Sequence, residues 1–318
     1  MTVATNTIQN VARVGVREDL SDKIAQLFPD DAPFMKAIGR STARNTYTEW
    51  QTDTLFAANA NNAAVQGDDL ANTSRPNTTR VGTHTQIFTK VVGSSTTVEW
   101  TAKAGRRSEL ARELMKSGRE IMTDQEMRFV GNYASVAAAA GVAGNTAGAL
   151  AWLVTNTSRG AAGANGGFSA GVVAAATNGT QRTYTESQLK TVLQSVWVKG
   201  GNPKMVITNG TQKQNEAAFS GLAVNRIDNS KSDGNLTIVG GADVYLSDFG
   251  KIAFVPDRFA STRDALIVDP EYWDIAVGEA LTTFDLATTG LATRKALRTE
   301  VALRCLNEAA SGCVSDLT

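Results

Sequence analysis

Histidine is almost absent from this chain: among 318 residues only His84 carries an imidazole. That excludes a metal site built on two histidines, the HExxH pattern included. His84 sits between Thr83 and Thr85 in a strand-like run and reads as an exposed member of a strand pair with no catalytic role. Cysteine is nearly as scarce. Cys305 and Cys313 are the only two, without CxxC spacing or a neighbouring histidine, so they read as small semi-buried residues and not as a disulfide or a zinc site.

Excess charge of one sign is also lacking. Lysine plus arginine and aspartate plus glutamate both number 31, so the field of the whole chain neither draws it strongly to nucleic acid nor drives copies apart. No stretch approaches the roughly 20 apolar residues of a membrane span. The residues after Met1 form neither a basic nor an apolar leader, so no membrane is expected and the site of synthesis and assembly reads as a cytoplasm. No GxxxxGK[ST] occurs, and no GxGxxG lies between a clear strand and a helix. The acidic pairs Asp30-Asp31 and Asp68-Asp69 are turn chemistry, because adjacent side chains on an extended chain diverge and hard cations need several converging oxygens. No cofactor, metal or catalytic residue is expected, and the chain does not read as an enzyme.

What is present is an α+β pattern with unusual proportions. Residues 17–28 carry a helical stretch closed by Pro29, and residues 30–39 a second short piece. Together they read as an arm and not a core. Strand-like runs at 45–53 and 81–92 flank residues 57–80, which are rich in Asn, Ala, Thr and Gly. A connection that long inside a compact domain needs a job, and contact with another subunit is the economical one. Residues 100–133 read as one helix, with Ala104, Leu110, Leu114, Ile121 and Phe129 in a stripe and Lys116–Glu120 and Asp124–Arg128 as exposed pairs. Its basic residues Arg106, Arg107, Arg112, Lys116 and Arg119 are interleaved with Glu109, Glu113 and Glu120, which makes a salt-bridged face in preference to a DNA stripe.

Residues 134–180 are biased to Ala, Gly and Asn and read as a weakly ordered surface excursion with one anchored tryptophan. Order resumes with a helix over 185–197, a strand at 204–208, a helix over 209–219, and strands at 236–239, 244–246, 251–255 and 265–268. The alternation of Leu297, Thr299, Val301, Leu303 and Cys305 with polar neighbours predicts a long half-buried strand.

Several of these stretches resemble one family. They are Arg17-Glu-Asp-Leu-Ser-Asp22, Ala32-Pro-Phe34 with Ile38-Gly39, Thr48-Glu-Trp-Gln-Thr-Asp53, Gly67-Asp68, Gln86-Ile-Phe88, Lys103-Ala-Gly-Arg106 with Ser108-Glu-Leu110, and Gly210-Thr-Gln-Lys-Gln214. In combination they are similar to the major capsid proteins of tailed bacteriophages with the Hong Kong 97 fold, well over the first 130 residues and thinly beyond.

The resemblance implies an N-terminal arm (1–45), an extended β-hairpin loop (46–98), a peripheral domain with a long spine helix (99–182), an axial domain (183–289) and a return strand of the peripheral domain (290–318). It implies self-assembly into hexamers and pentamers that form a virion head around double-stranded DNA, contacted without sequence preference. A portal protein and a decoration or cement protein are further implied partners. With Met1 as initiator there is no room for a cleaved scaffolding segment, so a separate scaffolding protein is expected. Residues 57–80 hold no lysine, so an isopeptide crosslink from the loop tip is not expected. Placing the loop makes Trp50, Phe56, Asp68, Arg80 and Phe88 the candidate intersubunit residues. The alternatives are a bacterial nanocompartment shell of the same fold, or a small-molecule-binding or hydrolytic α+β protein with its site in the middle lobe.

Overall fold

The computed structural model describes residues 31–67, 69, 72–73, 75, 77–103, 105, 107–219, 244–288 and 290–318. The helical stretch at 17–28 and the strand at 236–239 lie outside them. The chain enters through α1 (Pro33–Ala37) and β1 (Gly39–Thr42). A hairpin follows, β2 (Tyr47–Thr52) and β3 (Thr79–His84), and then β4 (Gln86–Ser95). Two helices come next, α2 (Thr96–Trp100) and α3 (Glu109–Val130). Beyond them lie α4 (Ala149–Trp152), β5 (Thr157–Ser158), β6 (Gly167–Ser169) and β7 (Val172–Ala174). The middle of the chain supplies α5 (Glu186–Val198), β8 (Met205–Thr208) and α6 (Gly210–Ala217). It ends with β9 (Val244–Ser247), β10 (Gly250–Pro256), β11 (Ala265–Val268), β12 (Trp273–Asp285), β13 (Ala292–Cys305) and β14 (Gly312–Val314).

Two main sheets organise these elements. One has the order β1-β12-β13-β4, with β1 parallel to β12 and the remaining pairs antiparallel. The other has the order β5-β14-β11-β8-β10-β9. Leu297, Thr299, Val301, Leu303 and Cys305 are all buried, as their alternation predicts, and α3 lays Ile121 and Phe129 into the same core. The intervening positions of β13 are polar as far as Glu300, but Ala302 is also buried, against Ala43 and Ala276. Both faces of the strand are therefore covered near its end. α5 packs Leu189, Val192, Leu193 and Val196 on the six-stranded sheet, behind a capping box in which Thr185 and Gln188 satisfy each other's backbone.

Five expectations change. The long helix begins at Glu109 and not near residue 100. Gly105 takes φ 71°, and Ser108 caps the new start by accepting from the Ala111 N–H at 3.2 Å. Its charged pairs also differ: Lys116 and Arg112 both reach Glu113, while Lys90 of β4 reaches Asp124 at 2.9 Å and Glu120 at 3.9 Å. Arg128 donates to the carbonyls of Thr146 and Ala134 instead of pairing with Asp124.

The run 81–92 is two strands in two sheets, divided at Thr85, because β3 pairs with β2 and β4 with β13. Residues 33–42 are tied to the body and are not a free arm, since Phe34 is wholly buried edge-on to Trp273 at 5.9 Å, Met35 and Ile38 join the same core, and β1 joins the sheet. The passage to the four-stranded sheet falls at Trp273 and not at 289/290, since β12, which begins there, already belongs to that sheet. Gly312–Val314 then goes back to the six-stranded sheet.

The largest change concerns residues 134–180. Ala147, Ala149, Leu150, Ala151, Trp152, Leu153 and Val173 are buried in the main core. The segment is held by polar side chains that complete its backbone hydrogen bonds. Asn132 exchanges two with Ala176, and Asp316 accepts from the N–H groups of Gly160 and Gly179. A Cβ on Gly148 would lie 2.0 Å from the Gly131 carbonyl oxygen, so glycine is required where the segment docks on the end of α3.

Phe129→Ala should cost about 3–5 kcal/mol, because the ring is fully buried and packs edge-on to Phe88 at 6.4 Å. Urea unfolding of the purified chain, followed by circular dichroism, measures it.

Candidate assembly surface

The hairpin of β2 and β3 is the element that leaves the body of the subunit. Six residue pairs join its strands, from Tyr47 opposite His84 to Thr52 opposite Thr79. Its base is fixed by aromatic packing. Trp50 lies 5.6 Å from Trp152, Trp152 stacks on Phe168 at 6.2 Å, and the Arg304 guanidinium sits 5.8 Å over Trp50. Arg304 is itself held by Asp274. Tyr47 and His84 stack at 4.6 Å, and burial pulls the His84 pKa below its ordinary value and pushes that of Tyr47 up, with Glu49 adding to the latter. His84 is thus a partly buried stacking residue and not an exposed one.

Beyond Thr52 the tip carries no regular element among the described residues up to Thr79, and its apolar side chains point to solvent. Leu55 is 94% exposed, Phe56 55% and Val65 75%. Exposed apolar groups of this size on a projecting loop make it a candidate interaction surface. A second uncovered group lies at the end of the four-stranded sheet, where the Thr96 N–H bonds the Leu291 carbonyl and Trp100 and Leu291 are 86% and 84% exposed. On the face of that sheet away from α3, Val91 and Phe284 flank the same residue, Ala296, and both are exposed.

The five candidate residues therefore separate. Phe56 stands in the open tip. Arg80 is exposed and ion-paired with Glu49 across the hairpin. Trp50 is partly buried and anchors the hairpin to its own subunit. Phe88 is 8% exposed and belongs to the core, so its intersubunit role gives way to packing against Phe129. Its position in β4 explains the difference, because Phe88 pairs with Thr299 on the face that α3 covers. Asp68 lies outside the described residues. Leu55, Trp100 and Leu291 were not singled out in the sequence. Single apolar residues in loops carry no periodic signal, and only their lack of cover distinguishes them.

Among the described residues no group of three or more His, Cys, Asp and Glu converges for a metal ion, and no helix is long and apolar enough to cross a membrane. Both cysteines are free and fully buried, with burial pushing the thiol pKa values up, that of Cys313 to about 11. In the middle lobe Glu216 is buried in the apolar core and accepts from the Thr208 hydroxyl at 3.2 Å. Burial raises its pKa to about 8, with Lys213 and the Thr208 hydroxyl opposing the rise.

A mixed four-stranded sheet carrying a long helix, a six-stranded sheet beside it and a projecting hairpin are the fold of phage capsid subunits. The capsid of cyanophage P-SCSP1u superposes with a TM-score of 0.62 at 10% identity, covering 99% of this chain and 97% of that one. The holo-SrpI encapsulin of Synechococcus elongatus gives 0.57 at 10% identity, covering 96% of each. The chain belongs to the SU10 major capsid protein family, whose model matches residues 1–318. It is also 37% identical over 112 residues to the major capsid protein of Escherichia phage Phieco32, which is 35% of this chain and 32% of that relative's length.

Trp50→Ala should lower the stability of the unassembled subunit by about 1–3 kcal/mol, since it removes the contacts with Trp152 and Arg304. Denaturant unfolding below the assembly concentration reads this out.

Proposed function

We propose that this chain is the repeating subunit of a phage head shell, assembling with copies of itself into hexamers and pentamers around double-stranded DNA. The observation that carries the reading is the uncovered hairpin tip, with Leu55, Phe56 and Val65 exposed on an element anchored firmly at its base. A subunit gains nothing from such a tip alone. Laid on a neighbour it removes apolar surface from water at roughly 25 cal/mol per Å². The same contact repeated head to tail closes a ring.

In this reading α3 with the four-stranded sheet forms the peripheral lobe, and the six-stranded sheet with α5 and α6 forms the axial lobe. Phe56 and Arg80 stay as candidate intersubunit residues, and Leu55, Trp100 and Leu291 join them. The subunit is structural and not an enzyme. DNA contact is non-specific, in keeping with the balanced charge of 31 against 31. A scaffolding protein, a portal and a decoration protein are the other partners, and assembly takes place in the bacterial cytoplasm.

Replacing Leu55 and Phe56 together by aspartate should leave the unfolding free energy of the protomer within about 0.5 kcal/mol. Particle yield, by light scattering and negative-stain microscopy of co-expressed chain and scaffold, should fall at least tenfold. Intact shells at normal yield from this variant would overturn the placement of the tip. Shells purified with a protein cargo and no DNA would favour the nanocompartment reading.

A further inference from the structure

The four-stranded sheet is incomplete along one edge. β1 pairs with β12 only from Gly39 opposite Asp274 to Thr42 opposite Val277, whereas β12 runs on to Asp285. Beyond Val277 the ladder with β13 shifts register twice, between Val277 and Glu279 and between Glu279 and Thr282, so Ala280 and Leu281 have no partner in it. A cavity of about 210 Å³ lies where this stretch meets α3. α3 lines it with Ile121 and Met122, and β12 with Val277 and Leu281. Met122 and Leu281 are themselves exposed, so the cavity opens to solvent.

Three polar side chains reach the same cavity. The Thr299 hydroxyl is already spent, donating to the Glu279 carbonyl at 2.9 Å. Gln125 is only 6% exposed, yet its amide makes no hydrogen bond within the described residues. Arg40 of β1 is exposed, and its guanidinium has no carboxylate partner among the described residues. No acidic side chain lines the cavity. It therefore offers a partner an apolar space, one amide able to donate and accept, and one cation.

These features select a ligand. Small-molecule pockets usually enclose roughly 300–1,000 Å³, and this smaller one suits a single side chain of leucine, methionine or phenylalanine size. A guanidinium takes a carboxylate in a matching fork, and an amide satisfies both halves of a peptide group. An apolar side chain, a peptide group and a carboxylate come together in one residue only at the carboxyl terminus of a chain. We propose that the cavity is a docking site for the apolar C-terminal residue of a partner protein, whose side chain enters between α3 and β12, whose carboxylate meets Arg40 and whose peptide group bonds the Gln125 amide. The site belongs to the protomer and stands whether or not the shell reading does. A purely apolar cover would leave the Gln125 amide buried without a partner, and a cover without a carboxylate would leave Arg40 unpaired.

N-acetyl-leucine carries these three groups and little else, which makes it the probe. Saturation-transfer NMR on the full chain should show it binding with a Kd on the order of millimolar, as suits so small a ligand. N-acetyl-glycine, without the side chain, should bind about tenfold more weakly. N-acetyl-leucinamide, without the carboxylate, should bind about three- to fivefold more weakly. Arg40→Gln should abolish the preference for the acid over the amide and leave the affinity for the amide unchanged. Arg40 is exposed, so this variant leaves the core untouched. Gln125→Leu should weaken the acid and the amide alike, and undiminished binding there counts against the site. Absence of transfer to N-acetyl-leucine at tens of millimolar, equal binding of acid and amide, or a preference that survives Arg40→Gln would each overturn it.

Discussion

A strand hydrogen-bonded along both edges is the constraint on which the rest of this subunit depends. β13 runs for 14 residues between β12 and β4, and its ladder with β4 alone spans ten residue pairs. Such a strand leaves its backbone satisfied but presents two rows of side chains, and the row Leu297, Thr299, Val301, Leu303, Cys305 must be covered. Each buried Leu or Val there contributes roughly 1.5–3 kcal/mol. α3 supplies the cover, which is why a helix of 22 residues follows β4 so closely in the chain. β4 comes from the first third of the chain and β13 from its end. The entropic cost of that closure grows only with the logarithm of the intervening length, so the lobe between them can be large.

On the opposite row Ala296 is buried, and toward the end of β13 Ala302 meets Ala43 and Ala276 and Arg304 reaches Trp50. Farther out, Val91 and Phe284 stay exposed, as do the hairpin tip and the sheet end at Trp100 and Leu291. The subunit is thus finished at its centre and unfinished at its rim. That division suits a protein whose stability and assembly are linked, because contacts at the rim add to the folded state only when another copy is present.

Two carboxylates buried inside this centre, Glu126 and Glu216, are both pushed toward neutrality by burial, yet they do different work. Glu216 bonds a hydroxyl from the strand just ahead of its own helix, so the contact stays within one lobe. Glu126 joins α3 to a segment 92 residues earlier in the chain. Its two backbone bonds tie the first turn of that segment to the core.

The strands at 205–208 and 265–268, the helix at 186–198 and the alternation of β13 were legible in the sequence, because period and composition report which face of a local element is apolar. So was the projecting hairpin, from its polar tip. The break before Glu109 was not, since Gly105 and Ser108 act as a turn and cap only when φ at Gly105 is positive. Residues 134–180 were misread because Ala, Gly and Asn are equally the composition of a flexible loop and of a segment packed backbone to backbone. Here Asn132 and Asp316 decide for packing.

Of the candidate intersubunit residues, Phe56 is exposed in the hairpin tip, whereas Phe88 pairs with Thr299 on the covered face of its sheet. Local periodicity determined by itself which side chains seek cover. Only the tertiary structure decided which of them find it within one subunit, because cover comes from elements distant in the chain.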